Sequence, residues 1–192
     1  MKNLSAWLCI WAIWLLCRAG PVAAKTSFYL EAQGFFTGQK AQAQLCAYLE
    51  HEFLPEWGLF SWGQVNDDWA EMYVGPYYRP LPWLTLGLGA GVEQADVPWR
   101  IGASVFINYE SFFFMHISEY GGSGYWYRFL GTYALPYGFR LGINAFRYGG
   151  VGPYAEYTVP GLDAVLAVSP LYDFESNSGS LFISLGKYFG TE

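Results

Sequence analysis

From Lys25 onward, apolar and polar positions alternate with period two over most of the chain. Leu84, Leu86, Leu88, Ala90 and Val92 fall on one face, and Thr85, Gly87, Gly89, Gly91 and Glu93 on the other. The next segment repeats the split, with Trp99, Ile101, Ala103, Val105, Ile107 and Tyr109 against Arg100, Gly102, Ser104, Phe106, Asn108 and Glu110. An amphipathic helix spaces its apolar positions at 3.6 residues, so this pattern predicts strands. Phe139 to Ala145, Val151 to Val159, Leu181 to Leu185, Phe28 to Gln33 and Ala43 to Glu50 alternate in the same way. A weaker run from Glu71 to Tyr78 contains Pro76, which removes one ladder hydrogen bond.

Turn-forming residues separate these runs, among them Thr37-Gly38, Leu54-Pro55-Glu56, Asn66-Asp67-Asp68, Asp96-Val97-Pro98, Gly121 to Gly124 and Pro160-Gly161. Together they predict about twelve strands, at 26–36, 41–53, 58–65, 69–79, 84–94, 99–110, 112–120, 125–134, 138–148, 151–159, 162–172 and 180–189. Dropping the two poorest gives ten, and eight would need unusually long loops. The odd-numbered turns collect most of the turn acids, with Asp67, Asp68, Asp96, Glu119, Asp173 and Glu175 assigned to them. The even-numbered turns are tight and mostly carry proline.

Composition then decides where the apolar stripes go. Aromatic residues make up 21 % of the chain and charged residues 14 %, against a usual charged share of about 25 %. No stretch after Lys25 offers the ~18 apolar residues of a spanning helix. The remaining structure that satisfies every backbone polar group in lipid is a closed barrel. Trp99 and Tyr109 lie on the apolar face at a separation of roughly 25 Å for a tilted strand, the height of a lipid-facing band between aromatic girdles. A soluble β-sandwich would have to bury the same stripes internally and leaves this spacing unexplained. The expectation is an all-β, antiparallel transmembrane barrel over residues 25–192.

A leader is expected before it. Lys2, the apolar stretch Leu4 to Cys17, and Val22-Ala23-Ala24 form the basic, apolar and small-residue parts of a signal peptide at 1–24. Cleavage there leaves Cys46 as the single cysteine, so no internal disulfide can form. The formal net charge of −6 becomes two units more negative without Lys2 and Arg18. Such a surface gives no reason to expect nucleic acid as a partner.

The whole mature chain resembles bacterial outer-membrane β-barrel proteins. Its last strand, Ser184-Leu185-Gly186-Lys187-Tyr188-Phe189, is similar to the C-terminal signal read by barrel-assembly machinery, although the chain ends Gly190-Thr191-Glu192 and not on an aromatic residue. The resemblance implies outer-membrane location after export, lipid as the surrounding partner and assembly machinery as a transient one.

The polar face carries Glu31, Glu50, Glu52, Glu71, Arg79, Glu93, Arg100, Glu110, Arg128, Arg140 and Glu156, which would then line a lumen. These residues either fill the interior with ion pairs or border a narrow polar passage. Eight strands enclose a side-chain-filled interior and sixteen a water channel, and twelve falls between. Acids outnumber bases on this face, so conductance would favour cations.

Other chemistry is sparse. His51 and His116 are isolated and Cys46 is alone, so neither a metal site nor a cofactor is expected. His116-Ile117-Ser118 resembles the His-x-Ser segment of the outer-membrane lipid A 3-O-deacylases. That resemblance implies Ser118 as nucleophile and His116 as base of an outer-leaflet hydrolase, the alternative to a non-enzymatic channel or a structural, partner-binding barrel. Leu130 stands where the family's orienting acid would be expected, and no acid occurs between Gly121 and Ala155. The hairpin at Gly121–Gly124 puts Ser118 opposite Tyr127 and His116 opposite Phe129.

Overall fold

A computed structural model describes residues 25–38 and 40–190. The expected leader at 1–24 and its cleavage site lie outside the described residues, as do Thr191 and Glu192. The chain forms twelve antiparallel strands: β1 (Thr26–Thr37), β2 (Lys40–Leu54), β3 (Trp57–Asn66), β4 (Ala70–Leu81), β5 (Leu84–Glu93) and β6 (Trp99–Tyr109). They continue as β7 (Phe112–Gly121), β8 (Gly124–Ala134), β9 (Phe139–Phe146), β10 (Gly150–Val159), β11 (Ala164–Asp173) and β12 (Ser178–Gly190). Each strand pairs with its sequence neighbours, and β1 pairs with β12 from Ser27↔Gly190 to Phe36↔Leu181, closing the barrel. Closure removes the unpaired edge that an open sheet would expose. The expected count of twelve strands holds.

The alternation has the physical cause expected of a barrel in lipid. The stripe Leu86, Leu88, Val92, Ile101, Leu141 and Ile143 points outward, and Leu88 is 66 % exposed. That much apolar surface is unfavourable against water and favourable against hydrocarbon. Aromatic pairs ring both ends of the band. The end carrying the chain termini (the terminal end) has Trp57 on Tyr78, Trp83 on Tyr109 and Phe139 on Tyr157. The opposite, distal end has Trp99 on Tyr120 and Tyr172 on Phe174. The expected girdle residues Trp99 and Tyr109 thus stand at opposite rims.

Prolines interrupt two ladders of the wall, and the chain repairs the gap in one of them. In the β4–β5 ladder the register runs from Val74↔Ala90 to Tyr77↔Gly87, skipping Pro76. The strands approach so closely there that a Cβ on Gly75 would lie 1.8 Å from the Leu88 carbonyl oxygen. In the β10–β11 ladder Pro153 and Pro170 face each other in the gap between Val151↔Tyr172 and Ala155↔Val168. Pro170 has no N–H for the Pro153 carbonyl, and the buried Ser169 hydroxyl donates to it instead at 2.7 Å.

The interior is packed in two sectors. Phe60, Tyr73 and Tyr77 form a buried aromatic group on the β3–β4 side, with Tyr48 and Trp62 against it. A Cβ on Gly89 would lie 2.8 Å from the Tyr73 ring, so the glycine stripe of β5 is the bare floor on which these rings lie. Across the barrel, Leu130, Phe146, Tyr154, Ala167, Leu171 and Phe182 form the second group.

Candidate functional site

The interior charges divide into a knot, two terminal-end clusters and one loosely held arginine. The knot centres on Arg100 of β6, whose side chain is 3 % exposed. Its guanidinium meets Glu71 of β4 at 3.1 Å, Glu119 of β7 at 2.7 Å, and Glu93 of β5. Each carboxylate has further donors. Glu93 accepts from the Ser123 backbone N–H at 2.7 Å and its hydroxyl at 2.9 Å. Glu119 accepts from the Tyr73 hydroxyl at 2.9 Å. Glu71 accepts from Gln64 at 2.7 Å and the Trp69 indole at 3.1 Å. Buried charges persist when paired and fully hydrogen-bonded in this way.

A chain of amides crosses the wall from this knot. Gln64 accepts from Gln44 at 2.7 Å, Gln44 also donates to Gln33 at 3.1 Å, and Gln33 donates to Glu31 of β1 at 2.7 Å. Cys46, a buried free thiol, lies beside Gln44 at 3.3 Å.

Toward the terminal end, Arg79 bridges Glu50 at 2.6 Å and Glu52 at 2.9 Å, with its guanidinium 4.5 Å above the Tyr77 ring. On the other side of the lumen Arg140 stands 3.8 Å from Glu156, which accepts from the Tyr154 hydroxyl at 2.8 Å. Arg128 of β8 is different. Its nearest carboxylate is Glu31 at 3.8 Å, its guanidinium lies 4.7 Å from the Phe146 ring, and its buried Nε has no partner.

One expected lumen residue is elsewhere, and another arrives unannounced. Glu110 follows the last residue of β6 and sits in the β6–β7 turn, exposed and at φ 52°. Parity along an unbroken strand would have aimed it inward, and the strand ends one residue earlier. Glu119, assigned above to an outer turn, lies within β7 and is 1 % exposed in the Arg100 knot. Its face of β7 otherwise reads Phe113, Met115 and Ile117, so no polar stripe marked it as interior. The signal that could have found it is the hairpin register, which sets Glu119 opposite Gly102 of the glycine-bearing inner face of β6.

His116 and Ser118 share the outward face of β7 with Phe114 and Tyr120. The register places Ser118 opposite Tyr127 and His116 opposite Phe129. The Ser118 hydroxyl is 2.7 Å from His116 Nε2 and 3.2 Å from the Tyr125 hydroxyl. The outward residues flanking the pair are Ala103, Val105, Tyr127 and Phe129; none is a carboxylate, and none hydrogen-bonds the imidazole. His51 is likewise outward, on β2, where its Nδ1 pairs with Thr26 at 2.9 Å.

Two cavities open into the barrel, one from each end. The distal one, about 450 Å³, is bordered by Gln33, Gln44, Trp62, Trp69 and Trp126. The one at the terminal end, about 700 Å³, is bordered by Tyr29, Glu31, Met115, Leu130 and Glu156.

No family model matches the sequence, and no curated protein does. Solved structures do resemble it. A KdgM porin superposes with a TM-score of 0.58 at 11 % identity, covering 84 % of this chain and 99 % of that one. A NanC porin does so at 0.52 and 13 % identity, covering 85 % and 100 %. A further KdgM porin structure, in complex with disordered oligogalacturonate, gives the same 0.58 and 11 %. The alignments run over nearly the full length of these porins. In fold, the chain is a twelve-stranded β-barrel of the outer-membrane porin type.

Proposed function

We propose that the protein is a narrow outer-membrane channel for small polar solutes, with its termini in the periplasm. The observation that carries this reading is the pair of cavities, bordered by charged, amide and aromatic side chains, that enter a barrel whose outer face is apolar. The tight even-numbered turns at the terminal end fit a periplasmic face, where such barrels keep their turns short. Lipid is then the permanent partner of the outer belt. The closing strand β12, with Gly186, Tyr188 and Phe189, is the segment that assembly machinery would read.

The solute preference follows from charge. Inward Glu31, Glu50, Glu52, Glu71, Glu93, Glu119 and Glu156 outnumber Arg79, Arg100, Arg128 and Arg140. Fixed carboxylates lower the potential in a confined lumen and enrich cations there. The KdgM porin solved with oligogalacturonate holds a polyanion; the acidic excess in this lumen supports neutral or cationic solutes instead. Planar-bilayer recording under a salt gradient tests the proposal. The expected result is small unit currents with a reversal potential of cation-selective sign. Migration on a detergent gel that is unchanged by boiling, or the absence of current in every salt from the wild type and from variants with shortened lumen side chains alike, would reject it.

A further inference from the structure

The distal and terminal-end cavities approach each other inside the barrel, and among the described residues Arg128 alone lines both. The Arg100 knot and the Phe60–Tyr73–Tyr77 group occupy the β3–β7 side. On the opposite side the Arg128 side chain lies between the two spaces, reaching from β8 toward Glu31 on β1 beside the Leu130–Phe146–Phe182 group.

Two observations show that this side chain is lightly held. Its carboxylate contact, at 3.8 Å, is longer than a hydrogen bond, and its Nε is buried without an acceptor. One step along the wall, Asn144 of β9 is 0 % exposed with both its amide nitrogen and its amide oxygen unpartnered. The register pairs Arg128 with Phe146 and Leu130 with Asn144, so Arg128 and Asn144 are diagonal cross-strand neighbours. Long side chains span that diagonal. An orphaned guanidinium donor therefore stands within reach of an orphaned amide acceptor, and a buried polar group without a partner is unfavourable.

We propose that Arg128 is the gate and charge filter of the lumen. In the closed arrangement its guanidinium crosses toward Glu31 over the Phe146 ring, as seen here. In the open arrangement it folds back against the wall and donates to Asn144 Oδ1, joining the two cavities into one passage. Because the gate carries a positive charge, it also restrains cations that the surrounding carboxylates attract. This rests on the channel reading.

The test is bilayer recording of the purified full-length barrel with Arg128→Ala, Arg128→Met and Asn144→Leu. Heat-dependent gel migration confirms that each has folded. Both Arg128 variants should raise the unit conductance at least threefold and move the reversal potential further toward the cation value. Asn144→Leu, similar in volume but without an acceptor, should lower the open fraction and leave the unit conductance unchanged. A silent wild type with conducting Arg128 variants also supports the gate. A conducting wild type whose conductance and selectivity survive both Arg128 substitutions overturns the gate and leaves the channel. Silence of all four folded proteins overturns both.

Discussion

Arg100 and Arg128 are both inward-facing arginines in the same lumen, yet their surroundings have little in common. Arg100 is ringed by Glu71, Glu93 and Glu119, each anchored by further donors from Tyr73, Ser123, Gln64 or Trp69. Arg128 has one carboxylate at 3.8 Å, two aromatic faces and an unpaired Nε. The difference lies in partners, not in residue type. A guanidinium presents five donors in a rigid fork, and three carboxylates can saturate it, whereas a single distant one cannot. Saturation turns one sector of the barrel into solid wall. Its absence leaves Arg128 free to move in the other sector, as the proposed gate requires. The amide chain Gln64–Gln44–Gln33–Glu31 runs between the two, so the rigid side also holds the carboxylate that Arg128 faces.

Replacing Arg100 with Met should have the largest effect on stability. It leaves Glu71, Glu93 and Glu119 crowded together without their shared cation, at a cost of about 3–5 kcal/mol. Urea unfolding in detergent, followed by tryptophan fluorescence, measures this, and a cost no larger than that of Arg128→Ala would erase the contrast between the two arginines. Tyr73→Phe should cost less, about 1–3 kcal/mol, because Glu119 loses its hydroxyl donor but keeps Arg100. An unchanged unfolding midpoint would mean that the tyrosine contributes only its ring on the glycine floor. Ser169→Ala probes the wall on the Arg128 side of the lumen. It strips the Pro153 carbonyl of its substitute donor, and about 1 kcal/mol is expected. A loss larger than that of Arg100→Met would make the proline gap, not the knot, the centre of barrel stability. Arg128→Ala should change the unfolding free energy least, by about 1 kcal/mol, since its contact to Glu31 at 3.8 Å is longer than a hydrogen bond and Glu31 keeps its Gln33 donor. Its effect belongs to conductance.

The strand pattern was legible because lipid and lumen impose opposite demands on successive residues, and a barrel wall one residue thick cannot average them. Leu84–Glu93 and Trp99–Tyr109 show this most plainly, and their paired register follows the alternation. β7 was harder to read. It carries apolar Phe113, Met115 and the buried Ile117 inward, the first two against the Leu130–Phe182 group, and polar His116 and Ser118 outward. Its alternation is therefore blurred, and Glu119 was misplaced in a turn. Glu110 erred the other way, continued by parity past the point where a left-handed backbone at φ 52° begins the turn.

By itself the sequence determined that the chain alternates along about twelve strands, that these strands need an apolar surround, and that a mixed set of charges with excess acid faces the other way. Those properties are local, set by the two-residue period of each strand. Tertiary structure alone decided which charges meet. Arg100 is near Glu93 in sequence and diagonal to Glu119 on the adjacent β7, but Glu71 reaches it from β4, two strands away, once the wall curves round. Arg128 and Glu31 face each other because closure of β1 on β12 folds the sheet into a tube. The saturation of one arginine and the looseness of the other depend on that closure, which no single strand encodes.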